Sequence, residues 1–502
     1  MIDELKDFFT HIVENFGPAV FLILFLLAIS VIGATYYADD AAANDAGDGS
    51  VGSPKKYIPS AIALMSAGDT VIIIDGTYTG ANNAITSLPV FGTSGNWCHV
   101  IAETNGGVEI QSTFYYDAGV TSCYYYWRGM TFKSQASHGL SYADQHYKNV
   151  GFIGGQVCSS SCAGAVVLMA ARRSLYEDCY FAGVGGRYTV MSYEIDSTIF
   201  RRCIARRDGG YTFDGSNPEA NWSNYGSSYM SYQNCISIDN TLTYSFNIFE
   251  GDTIWNYQAS FYCTGHGSNP ASDSVEFIGC IDLNGQSTGW YCDTDDGGNS
   301  LKLTDCISYT NDAAVALGNT GLPMAINRMT AGELASEAIA EWSESITVTN
   351  SIFYNHTSAG SGSPAVTYTN TFNPSSFTGT GVTHVNPLVN GLLYLIRIET
   401  DSTLKTSGES GGQMGAEVVK RIGTDGTFYG DAGFRDVTET DLWPWPNEAR
   451  IKTDFTAVSG GDRGFCDQAG TLSDYIIEQL GNDNPYDGSS PAVIHGQITV
   501  VR

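Results

Sequence analysis

YEDCYF at 176–181, FRRCIA at 200–205, YQNCIS at 232–237, FIGCID at 277–282, LTDCIS at 303–308 and VTNSIF at 348–353 are one block written six times. Each reads apolar or aromatic, two mostly polar residues, Cys or Ser, then apolar. Cys179, Cys203, Cys235, Cys280, Cys306 and Ser351 are separated by 24, 32, 45, 26 and 45 residues, and the 45-residue gaps fit two coils each. Weaker copies, YWRGMTF at 126, YKNVGFI at 147 and SFYCTG at 260, extend the series toward the N-terminus and fill one long gap. Repeats of this length imply stacking, because a single coil cannot bury its own apolar face and must lend its open edge to the next. A leucine-rich horseshoe has a similar period, but its leucine skeleton is absent; a β-sandwich would need hairpins at shorter spacing.

Composition agrees. Gly numbers 57, Tyr 30 and Phe 23 among 502 residues, with only 15% charged, which suits short strands joined by turns. The net charge of −29 repels phosphate backbones and anionic membrane surfaces, so nucleic acid is excluded as a partner. An acidic polysaccharide is disfavoured too, unless a cation or a local basic cluster inverts the potential at one site.

Upstream of the repeats, AGDTVIIIDGTYTG at 67–80 reads as turn, β-branched strand, Asp75-Gly76 turn and strand. A short amphipathic helix through Ile58, Ile62 and Met65 precedes it, behind the Ser53-Pro54 start signal, and is placed to cap the first coil. This opening resembles the pectin-lyase-like, right-handed parallel β-helix superfamily. The resemblance implies an all-β, single-stranded solenoid over residues 54–395, with a short N-terminal capping helix and an irregular C-terminal cap over 396–502. The LWPWPNEARI segment at 442–451, followed by RGFC and a DYI helix, is similar to the tails of exported bacterial β-helix proteins and brings no activity with it.

Ala19 to Ala34 is an uncharged apolar run, so residues 1–36 are expected to form a signal peptide or an N-terminal membrane anchor extended by Tyr36 and Tyr37. Either implies export, with any membrane contact through residues 19–37. Residues 37–53, small, acidic and Gly-rich, read as a flexible linker. Cysteines recurring at one phase should stack inward as unbridged thiols, whereas Cys158 and Cys162, outside that phase, are the candidate disulfide. Oligomeric state is not legible.

The densest polar stretch, 201–228, interrupts the repeat. Arg206, Arg207, Asp208, Asp214 and Glu219 are the candidate catalytic residues, and Trp222 and Tyr225 candidate sugar-stacking platforms; an Arg–Asp pair bracing a long loop is the alternative meaning. On a uronate polymer, β-elimination needs a cation or Arg to offset the carboxylate and a base to remove the neighbouring proton. Lyases of the resembled superfamily commonly use Lys or Arg as that base, often with calcium, which implies such roles for Arg206 or Arg207, although no lyase motif matches residue by residue. Asp293, Asp295 and Asn299 alternate like the first half of a calcium loop, without its bidentate Glu; an acidic turn is the commoner meaning. Gly265-His266-Gly267 and Arg450-Ile451-Lys452 echo polygalacturonase strings, but the surrounding aspartates are wrongly ordered and both read as coincidence. Asn221-Trp222-Ser223 and Asn355-His356-Thr357 fit glycosylation acceptors and decide nothing. The expected function is therefore an extracytoplasmic protein acting on or binding an extracellular polysaccharide, as a lyase or glycoside hydrolase, with a non-catalytic adhesin or structural envelope component as alternatives. Whether it is an enzyme stays open at this level.

Overall fold

The structure, a computed structural model, describes residues 33–116, 121–134, 138–154, 163–169, 172–184, 188–208, 220–239, 259–264, 274–285, 288–293, 301–317, 324–340, 346–358, 360, 364–458 and 460–486. The repeated block makes the corner between two sheets. Its first two residues end a strand of a 13-stranded sheet, and its last two begin a strand of a 12-stranded sheet; a 9-stranded sheet forms the third side along the middle of the stack. All the pairings in these three sheets are parallel and join one coil to the next, so the body is a single-stranded right-handed parallel β-helix.

The corner explains the block residue by residue. The aromatic that opens it points inward and stacks on its copies in neighbouring coils: ring centroids lie 4.8 Å apart for Tyr147 and Tyr176, 4.9 Å for Tyr176 and Phe200, and 4.7 Å for Tyr232 and Phe277. The polar residue before the cysteine adopts a left-handed backbone, with φ of 55° at Asp178, 49° at Asn234 and 54° at Asn350. Asn, Asp and Gly enter that region at least cost, which is why they recur there. The cysteine turns inward as a buried thiol, and the ten cysteines described are all unbridged and buried. Met130, Val150, Met329, Ser351 and Thr369 take the same rung in the other coils, so the copies at 126 and 147 are in phase.

Two parts of the expected spacing need correction. The interval from Cys235 to Cys280 is one coil carrying a long excursion, because Ile236 pairs directly with Ile281, whereas the interval from Cys306 to Ser351 does hold two coils. SFYCTG is accordingly not a copy of the block: it lies in the third sheet, where Cys263 pairs with Cys292.

The body also starts earlier than residue 54. Thr35–Ala38 is the first rung, paired in parallel with Thr70–Ile73. The stretch after it is no flexible linker: Tyr37 N–H donates to Gly49 O at 2.8 Å, and the Asp45 carboxylate accepts from Lys56 N at 3.0 Å and Tyr57 N at 3.2 Å. Composition suggested disorder, yet the same Asp and Asn side chains satisfy local backbone donors and hold the loop. Of the expected signal or anchor, residues 1–32 lie outside the described residues, and among the described ones no helix is long and apolar enough to cross a membrane. The short helix is present at Ile58–Ile62, with Ile58, Ala61 and Ile62 buried against the first coils. Cys158 and Cys162 lie outside the described residues.

The irregular C-terminal region does more than cover the last coil. From Glu409 it runs back along the corner in reverse coil order, its amides hooked on corner side chains: Glu409 N on Asn350 Oδ1 at 2.7 Å, Glu417 N on Asp305 Oδ1 at 3.1 Å, Ile422 N on Asn234 Oδ1 at 2.8 Å and Gly426 N on Glu177 Oε1 at 3.0 Å. Asn447 then reaches Asn149 and Asn105, both at 2.9 Å. The helices Glu448–Thr456 and Leu472–Ile477 return over the outer face of the second sheet. There Trp443, Trp445, Ile451, Phe455, Phe465 and Ile476 bury the outward ladder Tyr180, Ile204, Ile236, Ile281, Ile307 and Ile352, which is the fifth residue of each block. The solenoid thus has two cores, one inside its coils and one beneath this strap.

Candidate functional site

Arg206 and Asp208 do not face a groove. They project from the outer face of the second sheet beneath the strap, where Arg206 is 0% exposed. Arg206 pairs with Asp208 at 2.8 Å, donates to the carbonyls of Gly461 at 2.7 Å and Phe455 at 3.1 Å, and lies 5.0 Å from the Phe455 ring. Asp208 also meets Arg463 at 2.9 Å; burial raises its pKa even against these two guanidinium groups. Arg207 is buried as well. The alternative meaning, an Arg–Asp pair bracing structure, is the correct one, although the pair braces the strap and not its own loop.

Trp222 is likewise no sugar platform. It points into the solenoid between Phe200, Tyr232 and Phe261, and Asn221 beside it donates to Ser237 Oγ at 2.8 Å inside the fold, which removes it as a glycosylation acceptor. Tyr225 does lie half-buried on the outer side of the third sheet, its hydroxyl 2.6 Å from that of Tyr188. Asp214, Glu219, Asp295 and Asn299 lie outside the described residues, as does Gly265-His266-Gly267; the backbone of Asp293 ends the strand Thr288–Asp293. Arg450 and Lys452 serve the strap, donating to Thr131 Oγ1 at 2.7 Å and to Gln468 O at 2.6 Å.

The outer face of the first sheet, where the strap turns across it, holds a cleft of 480 Å³. Alternation along four successive strands brings its floor together: His99, Tyr126 and His146 are direct cross-strand partners, and Lys148 and Glu177 are partners one position pair further on. The rings contact in series, His99 to Tyr126 at 5.4 Å and Tyr126 to His146 at 4.8 Å. Trp97 and strap residue Phe428, 5.4 Å apart, form an aromatic wall, and the half-exposed Arg173 lies 5.3 Å over the Phe428 ring.

Glu177 is the hub beneath. Its carboxylate accepts from Arg201 at 2.7 Å and His146 Nε2 at 2.8 Å, with Lys148 Nζ at 3.6 Å. Burial alone would raise its pKa, but His146, Lys148 and Arg201 together hold it well below the usual carboxylate range. Lys148 reaches Asp425 of the strap at 2.8 Å, and Asp425 in turn meets Arg202 at 2.7 Å. Burial works against the Lys148 ammonium, yet Glu177, Asp425 and Asp178 outweigh it and raise its pKa. For His99, burial and then the neighbouring His146 lower the pKa, so its imidazole is neutral at neutral pH. Burial raises the Tyr126 phenol, against Arg128 and Lys148, and keeps it protonated. The floor therefore offers a fixed cation, a neutral base and a phenolic acid on one surface.

The repeat runs through the strands of this site without marking it. The copies at 126 and 147 are defined by inward residues such as Trp127 and Tyr147; the outward partners sit at the intervening positions, and nothing in the repeat marks them as chemically special. The signal in the sequence is that His146 stands two positions before Lys148, on the same face of one strand.

No family model and no curated protein matches the chain. Among solved structures it is similar to pectate lyase Pel9A, at 12% identity and a TM-score of 0.42 over 76% of this chain and 95% of that one. A rhamnogalacturonan lyase follows at 13% identity and a TM-score of 0.37 over 71% and 86%. The GH136 lacto-N-biosidase from Eubacterium ramulus gives 10% identity and a TM-score of 0.36 over 76% and 73%. At these scores the fold assignment stands on the chain's own parallel ladders and not on the likeness.

Proposed function

We propose that this chain is an exported, polysaccharide-acting β-helix protein whose cleft at Trp97, His99, Tyr126 and Lys148 takes a uronate-bearing glycan and cleaves it by β-elimination. The observation that carries the reading is the juxtaposition of a charged Lys148 with a neutral His99 and a protonated Tyr126 on one outer face. Lys148 and Arg173 offset the sugar carboxylate and so acidify the C5 proton. The His99 imidazole accepts that proton, the electron pair forms the C4–C5 double bond, the C4–O bond breaks, and the Tyr126 phenol protonates the departing oxygen. The Trp97 and Phe428 rings supply faces for pyranose stacking. Hydrolysis suits the cleft less well: it needs a carboxylic acid that stays protonated, whereas Glu177 and Asp425 are both held ionised, the first by His146, Lys148 and Arg201, the second by Arg202 and Lys148 against the effect of burial.

The test is a screen of the purified protein against polygalacturonate, alginate, glucuronan and neutral glycans, each with and without calcium, reading unsaturated product and reducing ends. The expected result is unsaturated product from a uronate polymer, reduced about hundredfold or more in His99→Ala and in Tyr126→Phe. Saturable binding without turnover would put the adhesin reading ahead, and full activity in both variants would remove the cleft. The calcium arm tests the turn at Asp293, Asp295 and Asn299, and cell fractionation tests export through the run Ala19–Ala34.

A further inference from the structure

The strap contributes one carboxylate to the cleft, and it bridges the buried Arg202 and Lys148. The turn around residue 425 is held by other groups as well: Arg201 donates to the carbonyls of Thr424 at 2.8 Å and Phe434 at 2.9 Å, and Gly426 N–H donates to Glu177 at 3.0 Å. Arg202 already has a carboxylate partner in Asp178, at 2.6 Å. Asp425 rests one oxygen on Arg202 at 2.7 Å and, with its side chain 49% exposed, turns the other to Lys148 Nζ at 2.8 Å. A carboxylate resting on the cleft's ammonium group, at the edge of a wall of aromatic rings, has the arrangement that the acid group of a bound sugar would take.

We propose that Asp425 is an intramolecular occupant of the carboxylate seat on Lys148, displaced from that ammonium group by the ligand, and that it sets a threshold affinity which any carboxylate ligand of the cleft must exceed. This rests on the reading of the cleft as a uronate site. The physical basis is an exchange of equals. A free monocarboxylate that replaces Asp425 gains one ion pair and loses one, and it competes with a group tethered at an effective concentration in about the millimolar range. A uronate within a chain adds ring contacts on Trp97 and Phe428 that Asp425 cannot make, and those contacts decide the exchange. The pairing of Lys148 with Asp425 is thus a threshold, set by a residue that takes no part in the chemistry.

Isothermal calorimetry of galacturonate and trigalacturonate binding, alongside KM for the polymer, tests this on the full chain with Asp425→Asn, Asp425→Ala and Asp425→Glu. Neutralising the side chain should lower the Kd for galacturonate by about three- to tenfold, and the Kd for trigalacturonate and KM for the polymer by a similar factor. Asp425→Glu, which keeps a carboxylate within reach of Lys148, should stay near the parent, and this separates charge from local packing. Tighter galacturonate binding without cleavage of any polymer would leave the seat standing and defeat the elimination reading. Cleavage by the parent chain with unchanged Kd and KM in the Asn and Ala variants would defeat the seat and leave elimination standing. Absence of galacturonate binding in every variant also sinks the seat.

Discussion

Asp282 shows what one interior position does to a carboxyl group. It sits on the second sheet between the rungs of Ser237 and Ser308, fully enclosed, and accepts hydrogen bonds from Ser260, Ser308 and Asn311. Burial pushes its pKa from 3.8 up to about 7, and those hydrogen bonds only partly oppose the shift. A folded-state value above the unfolded one means stabilisation that is complete below 3.8 and is lost as pH rises through about 7. Asp282→Asn keeps an acceptor for Ser308 and Asn311, reverses the bond with Ser260 and cannot ionise, so urea midpoints of parent and variant should diverge as pH goes from about 4 to about 8, with the parent losing ground. Parallel profiles would refute the assignment. His99 moves the other way: because its pKa lies below 6.5, the acid limb of kcat/KM on a uronate polymer should fall below that value. Trp222→Ala should cost about 3–5 kcal/mol of stability, since it opens a cavity among stacked rings, and should leave the Kd for trigalacturonate unchanged in protein that remains folded.

At the scale of the repeated element, the cysteine rung is a hydrogen-bonding position as much as an apolar one. Cys203 Sγ donates to Tyr176 O at 3.3 Å, and Cys235 Sγ to Phe200 O at 3.2 Å, in each case across to the preceding coil. Ser351 and Thr369 occupy the same rung with hydroxyls that donate to Thr349 O and Thr367 O, each at 2.9 Å. At these corners a small donor fits, thiol and hydroxyl both qualify, and Met130, Val150 and Met329 show that the same rung also takes an apolar side chain. Cys235→Ser should therefore cost only about 1 kcal/mol, whereas Cys235→Leu, which forces extra volume into a packed corner, should cost about 1–3 kcal/mol. Denaturation of both variants measures the difference. In the native parent, alkylation of the rung thiols should be slow and should go to completion only on unfolding, because each is buried.

For the whole molecule the strap is the decisive addition. It touches coils from Asn350 back to Asn105 and forward again to Asn284, so distant repeats share one covering segment. Solenoids otherwise communicate only between neighbouring coils. Two consequences can be measured. Removing Arg206, whose buried guanidinium joins Asp208 to the strap carbonyls, should cost about 3–5 kcal/mol and raise amide exchange around residues 461–466. A chain ending near residue 385 should be insoluble, since the isoleucine ladder of the second sheet would then face water along its length.

The sequence alone determined the architecture, the phase of the rungs and the fate of most cysteines, because these depend on periodicity, and a repeat written six times states its period openly. It also identified the chemistry of an Arg–Asp pair but assigned it to a groove, since nothing local distinguishes a charged pair in solvent from one beneath a segment some 250 residues away in the chain. Only the tertiary structure decided which outward side chains remain reachable. His99, Tyr126 and the His146–Lys148 pair lie on three successive coils, and they meet because parallel stacking places them side by side while the returning strap walls one edge of the cleft and covers the neighbouring face. Long-range burial, which no window along the chain records, separates the reachable surface from the structural one.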